Sequence, residues 1–295
     1  MQPRSIASVV PAPQFKEGGG FIVHRPFPTG QLDHVDPFLL LDEMGPVTYG
    51  VGEAVGAPDH PHRGFETVTY LLEGGMQHRD SAGHAGGLRP GDVQWMTAGE
   101  GVVHSEMPSD AMMREGGNMH GFQIWVNLPR ADKMTHPRYQ EIPGERIPVW
   151  RSADGRVTAK VISGQVESIR AVIETHTPIV FLHLILEPGA SFTQPIEAGF
   201  NAFAFVFEGA LALDGERRSA PAHAAVIYRP DGDAVTIRAA DGDRPVQALL
   251  LAGKPIGEPV ARYGPFVMNT RDELVQAFED FHAGRMGHIP AEVTH

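Results

Sequence analysis

The 295-residue chain carries 24 basic and 36 acidic residues, for a formal net charge of −12, and no cysteine. Its positive charges are scattered, so it lacks the clustered footprint that a phosphate backbone needs, and without thiols it has no disulfides, thiolate metal sites or cysteine nucleophiles. With 42% apolar residues, 34 Gly and 25 Pro, it can bury a core and should do so with many short strands and turns rather than long helices.

The opening MQPRSIASVVPAPQ lacks the apolar stretch of a signal peptide. The most apolar run, 179–186, is interrupted by His183 and is too short to cross a bilayer. A cytoplasmic protein with no membrane partner is expected.

In chain order, the first half offers "GFIVHRPF", "ETVTYLLEG", "DVQWMTAG" and "GFQIWVNL", each β-branched or aromatic and bounded by Gly or Pro. The polar, proline-rich segment 129–150 reads as a linker. The second half repeats the texture with "RVTAKVISG", "IVFLHLILEPG", "AFAFVFEGALALDG", "AAVIYRPDG" and "VQALLLAG", with turns at Asp214-Gly215 and Asp231-Gly232. Two successive sets of strands predict an all-β chain of two β-barrel or jelly-roll units.

One helix is predicted, at the C-terminus. Thr270 and Glu273 form a capping box, Leu274, Phe278 and Phe281 share a face that should pack into the core, and Gly284 suits the terminus.

Chemistry concentrates in the histidines. His60 and His62 are two apart and share a face on a strand, as Glu66 would if that strand were unbroken. His104 and Glu106 form a second such pair. Three imidazoles and a carboxylate suit Fe(II), Mn, Co, Ni or Cu. Strand parity leaves either Glu66 or Glu106 as the carboxylate. His183, in its apolar strand, reads as a hydrogen-bonded core residue. His78 and His84 could orient metal-bound imidazoles or simply be polar strand-edge residues. His120 precedes a strand and could approach the pocket, but is not taken as a site residue. Arg63 reads as a structural or surface ion pair. Trp95, Met96, Phe122, Ile124 and Trp125 should line and fill the first barrel.

The spacing Gly56, His60, His62, Glu66, Gly74 resembles the first cupin motif, and Gly91, Gly99, His104 the second. The longer strings "DHPHRGFETVTYLLEGG", "GDVQWMTAGEGVVHSEMP", "WVNLP" and "GPFVMNT" resemble the pirin family of bicupins over roughly residues 20–285. The resemblance implies two tandem cupin domains, a metal-binding one at 1–133 and a metal-free one with the terminal helix at 134–295. It implies one metal, usually iron, held by His60, His62, His104 and Glu106, with Glu66 as the other carboxylate in play. In the second barrel Gln194 and Ile196 stand where a His-x-His pair would be.

Bacterial proteins of this kind are associated with quercetin 2,3-dioxygenase activity. The resemblance therefore implies oxidative opening of a flavonol by O₂, with Glu106 as general base. Animal pirins imply an alternative, an iron-binding regulator with a protein partner and no turnover. A metal open to a deep pocket would favour the first, and a metal closed off by side chains the second.

Overall fold

The computed structural model describes residues 1–213 and 218–290. The expected Asp214-Gly215 turn lies outside the described residues. Strands dominate, and the only helices of more than one turn among the described residues are Asp110–Glu115 and Arg271–His282. No helix among them is long and apolar enough to cross a membrane.

The chain folds into two compact units, the first made of residues 1–13, 24–41 and 145–255 and the second of 14–23, 42–144 and 256–295. These units interleave in sequence rather than meeting at one boundary near residue 133. The reason lies at the termini. The strand Ile6–Pro11 pairs with Ala224–Tyr228, Val9 opposite Val226. The buried Arg4 beside it donates to the carbonyls of Phe200 (2.6 Å), Glu197 (3.1 Å) and Gly232 (3.1 Å). The terminal helix, expected with the second barrel, belongs to the other unit.

In the first unit a seven-stranded sheet runs in the order Ile6–Pro11, Ala224–Tyr228, Asn201–Glu208, Val246–Gly253, Ile179–Leu186, Val157–Ser163, Val149–Arg151. Its core is apolar throughout, with Leu182, Leu184, Val206, Leu250 and Ile196 nearly or fully buried. Gln194 is buried and donates to the carbonyls of Gln165 and Pro195. The positions of a His-x-His pair are thus filled by an amide that donates to two backbone carbonyls and by a core isoleucine. His183 is buried and bonds through Nε2 to Gln247 Oε1 at 3.0 Å, as a core histidine should.

The second unit holds a four-stranded sheet in the order Ala57–His62, Val102–Pro108, Met76–Asp80, Ala85–Leu88. In a larger sheet, Arg138–Ile142, Val93–Thr97, Phe65–Glu73 and Gly117–Asn127 of this unit are successive neighbours. The segment 129–150 is therefore not a bare linker: Arg138–Ile142 pairs with Val93–Thr97, and Val149–Arg151 with Val157–Ser163.

The terminal helix starts as predicted. Thr270 Oγ1 accepts from Glu273 N, and Glu273 Oε2 accepts from Thr270 N. Leu274 and Ala277 are buried in a cluster with Val103, Phe266 and Met286, while Phe278 and Phe281 pack half-buried on its edge. Gly284, at φ 74°, follows the last turn in the left-handed conformation that glycine takes without penalty.

Candidate metal centre

The histidines meet because two neighbouring strands place them opposite one another. In the antiparallel pairing of Ala57–His62 with Val102–Pro108, His60 lies across from His104 and His62 across from Val102. Residues two apart on a strand share a face, so His62 joins the pair. One ring nitrogen from each of His60, His62 and His104 falls within 4.8 Å of the others. Ring centroids are 4.4 to 4.9 Å apart.

The protonation states suit metal binding. A carbonyl oxygen can only accept, so His60 Nδ1–H donates to Pro58 O at 2.7 Å and His62 Nδ1–H to Pro265 O at 3.3 Å. Each ring then keeps its Nε2 lone pair for a ligand. Burial, then the neighbouring His60, holds His62 well below the usual imidazole range; burial and its three histidine neighbours do the same to His104. Both are neutral at neutral pH, the form a metal requires. His104 is fully buried, and neither of its ring nitrogens has a hydrogen-bond partner within the protein. A buried imidazole with no partner is costly, and a metal ligand bond removes that cost. The donor set fits a divalent first-row ion.

The two carboxylates are not part of this cluster of three. The strand breaks after His62: Arg63 and Gly64 turn the chain into Phe65–Glu73, which lies in the other sheet. The shared face expected for Glu66 therefore does not exist. Glu66 is fully buried and accepts from Thr97 Oγ1 at 2.7 Å. Glu106 follows His104 by two residues, but the register against Ala57–His62 shifts between them. Its carboxylate is held at Oε1 by Thr69 Oγ1 (3.0 Å) and at Oε2 by Gln123 Nε2 (3.3 Å).

Glu106 and Gln123 line an otherwise mainly apolar pocket whose walls include Phe21, Met44, Tyr49, Met76 and Met119. Glu106 is thus the candidate ligand that faces this pocket. Gly56, the first motif glycine, also lines it; a Cβ there would sit 2.4 Å from the Glu106 carbonyl oxygen, so a side chain would push Glu106 away.

The corner after His62 is fastened from several sides. Gly64 has φ 87°, and a Cβ on it would lie 2.0 Å from Val267 O, so only glycine fits. Val267 N donates to Arg63 O. Arg63 Nε donates to Glu100 O, and its Nη1 pairs with Asp280. Lys133 Nζ, buried, donates to Gly64 O (2.8 Å), Asn127 Oδ1 (2.7 Å) and Val267 O (3.0 Å). Trp125 stands edge-on to His62, 5.3 Å between centroids.

The remaining histidines fall outside the cluster of three, with His78 near enough to act on His104. His78, buried, pairs through Nε2 with Glu141 at 2.6 Å and stacks on Tyr139. His84 is largely exposed and pairs with Asp80. His120 bonds to Glu43 Oε1 at 2.9 Å. Trp95, Met96, Phe122 and Ile124 are core. Sequence reasoning missed Thr69, Gln123, Lys133 and Pro265. None has a spacing signal, since each reaches the site by sheet pairing or a distant turn.

Two barrel units, one carrying a three-histidine cluster on paired strands and the other an apolar core, define a bicupin. The pirin profile matches residues 20–126, and the profile of the pirin C-terminal cupin domain matches 181–287. Pirin from Homo sapiens is 44% identical over 92% of this chain and 90% of its own length. A pirin-like protein from Caulobacter vibrioides is 42% identical over 97% and 100%. Among solved structures, one described as quercetin 2,3-dioxygenase from Acinetobacter baumannii is 33% identical, with a TM-score of 0.91 over 98% of this chain and 100% of its own. The chain belongs to the pirin family.

Proposed function

We propose that the chain is a metal-dependent dioxygenase that opens a flavonol of the quercetin type with O₂, at a site held by His60, His62, His104 and Glu106. The observation that carries this reading is the placement of Glu106, two residues from His104 on one side and in the wall of an apolar pocket on the other. The likeness to the Acinetobacter baumannii chain described as quercetin 2,3-dioxygenase supports it.

The three neutral imidazoles would hold a divalent first-row ion, Fe(II) first, with Mn, Co, Ni or Cu as substitutes. When bound, such an ion supplies Lewis acidity toward a substrate hydroxyl and access to O₂ chemistry. The chain's own residues do the rest. Phe21, Met44, Tyr49 and Met119 offer apolar surface to a flat aromatic substrate. Glu106 accepts the proton of the flavonol 3-hydroxyl at its carboxylate, beside Gln123 and Thr69, which offer that carboxylate hydrogen bonds. The products are the ring-opened ester and CO, with both atoms of O₂ retained.

The test is metal-loaded protein with quercetin and with a flavone lacking the 3-hydroxyl. Quercetin absorbance should fall with equal O₂ uptake and CO release; the flavone should not react, having no proton for Glu106. If fully loaded protein shows none of these signals across the candidate metals, this reading is wrong.

One observation favours a second reading, an iron-dependent regulator. His62 and His104 are buried, and His62 is tied to the C-terminal segment through Pro265 and, next door, through Arg63 and Asp280. A change at the cluster thus has a short covalent and ion-paired route to the outer helix, where a protein partner could sense it. The same O₂ assay separates the two readings.

A further inference from the structure

Thr69 Oγ1 lies 2.6 Å from Gln123 Oε1 and 3.0 Å from Glu106 Oε1. A threonine hydroxyl has one proton, so it serves one of these two acceptors at a time. The Gln123 contact is the shorter. Gln123 in turn offers its Nε2 to Glu106 Oε2 at 3.3 Å, a longer bond. Turning the amide over does not relieve the shortage, since it would then face Oε2 with an oxygen. The Thr69–Gln123 pair therefore stands whether or not Glu106 is present, and Glu106 occupies the site by the two longer contacts.

We propose that Thr69 and Gln123 form a second seat for the Glu106 carboxylate, and that Glu106 exchanges between this seat and the metal. This rests on the metal-site reading above. When Glu106 leaves, Thr69 stays paired with Gln123, so no buried hydroxyl is orphaned and only the long Gln123 Nε2 bond is given up. The shift of register between His104 and Glu106 sets the carboxylate apart from the three imidazoles and beside this seat. The Thr69–Gln123 seat adjoins the pocket, because Glu106 and Gln123 are both in its wall. With a divalent ion held by His60, His62 and His104, a Glu106 carboxylate resting in this seat would be free to accept the proton of a substrate hydroxyl. Thr69 and Gln123 are positioning residues in this scheme.

The proposal predicts the sign of a binding change. An outer partner that merely oriented a bound ligand would weaken metal binding when removed, by about 10- to 100-fold. A competing seat does the opposite. Thr69→Val and Gln123→Leu should each bind Co(II) about three- to tenfold more tightly than the parent chain, the range expected for one lost neutral hydrogen bond. Thr69→Ser should restore parental affinity. In a Glu106→Ala background Thr69→Val should have no effect, since nothing is left to compete.

Co(II) titration in the presence of a chelator measures the affinity, and the visible d–d bands of the Co(II) form report carboxylate ligation directly. Unchanged or weaker binding in both variants, at parental thermal stability, overturns the second seat. So does a Thr69→Val effect that persists in the Glu106→Ala background. A parent chain that takes up no Co(II), Fe(II) or Ni(II) overturns the metal reading itself, which is a different result.

Discussion

Arg63 and Asp280 form an ion pair at 2.6 Å, with side chains only 6% and 13% exposed. Arg63 immediately follows His62, and Asp280 sits in the last turns of the terminal helix. Burial alone would push the Asp280 carboxyl up. Hydrogen bonds from Arg63, Gln276 and Arg285 outweigh it and bring the group down to about 2. A depressed carboxyl stabilises the fold above its unfolded value near pH 4, and the contribution is lost as pH falls toward 2. Asp280→Asn should therefore destabilise the protein at neutral pH and flatten the acid limb between about pH 4 and 2. It should cost more than Arg63→Met. Asp280 keeps Arg285 and Gln276 when Arg63 goes, whereas Arg63 would be left with only the Glu100 carbonyl. Thermal melts of the two variants across that pH range check both statements.

Lys133 should be among the residues least tolerant of change in this unit. Its three donors meet three acceptors, two of them backbone carbonyls on either side of the His62 corner. Lys133→Met leaves all three without this donor, at a cost of about 3 kcal/mol or more. Burial lowers the Lys133 pKa to about 8, against the opposing pull of Glu258 and Glu273. Between pH 8 and about 10 the unfolded chain then holds a proton the folded chain has lost, so this group makes stability rise with pH in that window. Denaturant unfolding at pH 7 and 9.5 should show this rise in the parent and its absence in Lys133→Met.

How much of this was legible in the sequence depended on whether the signal was local. The capping box at Thr270 and Glu273 is a four-residue pattern, and it forms as written. His60, His62 and His104 were legible because period-2 strands and the motif spacing both act over short distances. The shared face for Glu66 was conditional on an unbroken strand, and Gly64 breaks that strand between sheets. The N-terminal strand was invisible as part of the first unit's sheet, since nothing in Ile6–Pro11 encodes its partner more than 200 residues away. Thr69 and Gln123 are ordinary strand residues until Phe65–Glu73 and Gly117–Asn127 pair and set them side by side.

Glu106→Gln and Glu66→Gln should separate cleanly. An amide at 106 is a weaker donor to a metal and cannot take a proton, so metal affinity should drop and flavonol turnover should cease. Glu66 is buried in the other sheet against Thr97, so Glu66→Gln should keep the metal and change mainly stability. Metal analysis after dialysis, with melting curves, reads both. Loss of metal from Glu66→Gln with retention in Glu106→Gln would reverse the assignment of the carboxylate.

Trp125 gives an optical handle on the same site. Its ring stands 5.3 Å from that of His62 at 71°, and its other face leans on Phe65 at 4.3 Å. Trp95 is buried in the barrel wall, and Trp150 packs on Phe192 in the other unit. Open-shell ions quench indole emission at short range because their partly filled d levels accept the excitation; Zn(II), with a filled shell, does not. Ni(II) or Co(II) should therefore quench part of the tryptophan emission, saturating at about one ion per chain, and a chelator should restore it. Zn(II) should bind without comparable quenching and should compete the quenching away. Trp125→Phe should remove most of the signal while leaving the ion bound, as checked by metal analysis on the same sample. His104→Ala should remove signal and ion together, because His104 is the fully buried member of the cluster. Quenching that survives in Trp125→Phe at full strength would mean that the ion sits elsewhere in the fold.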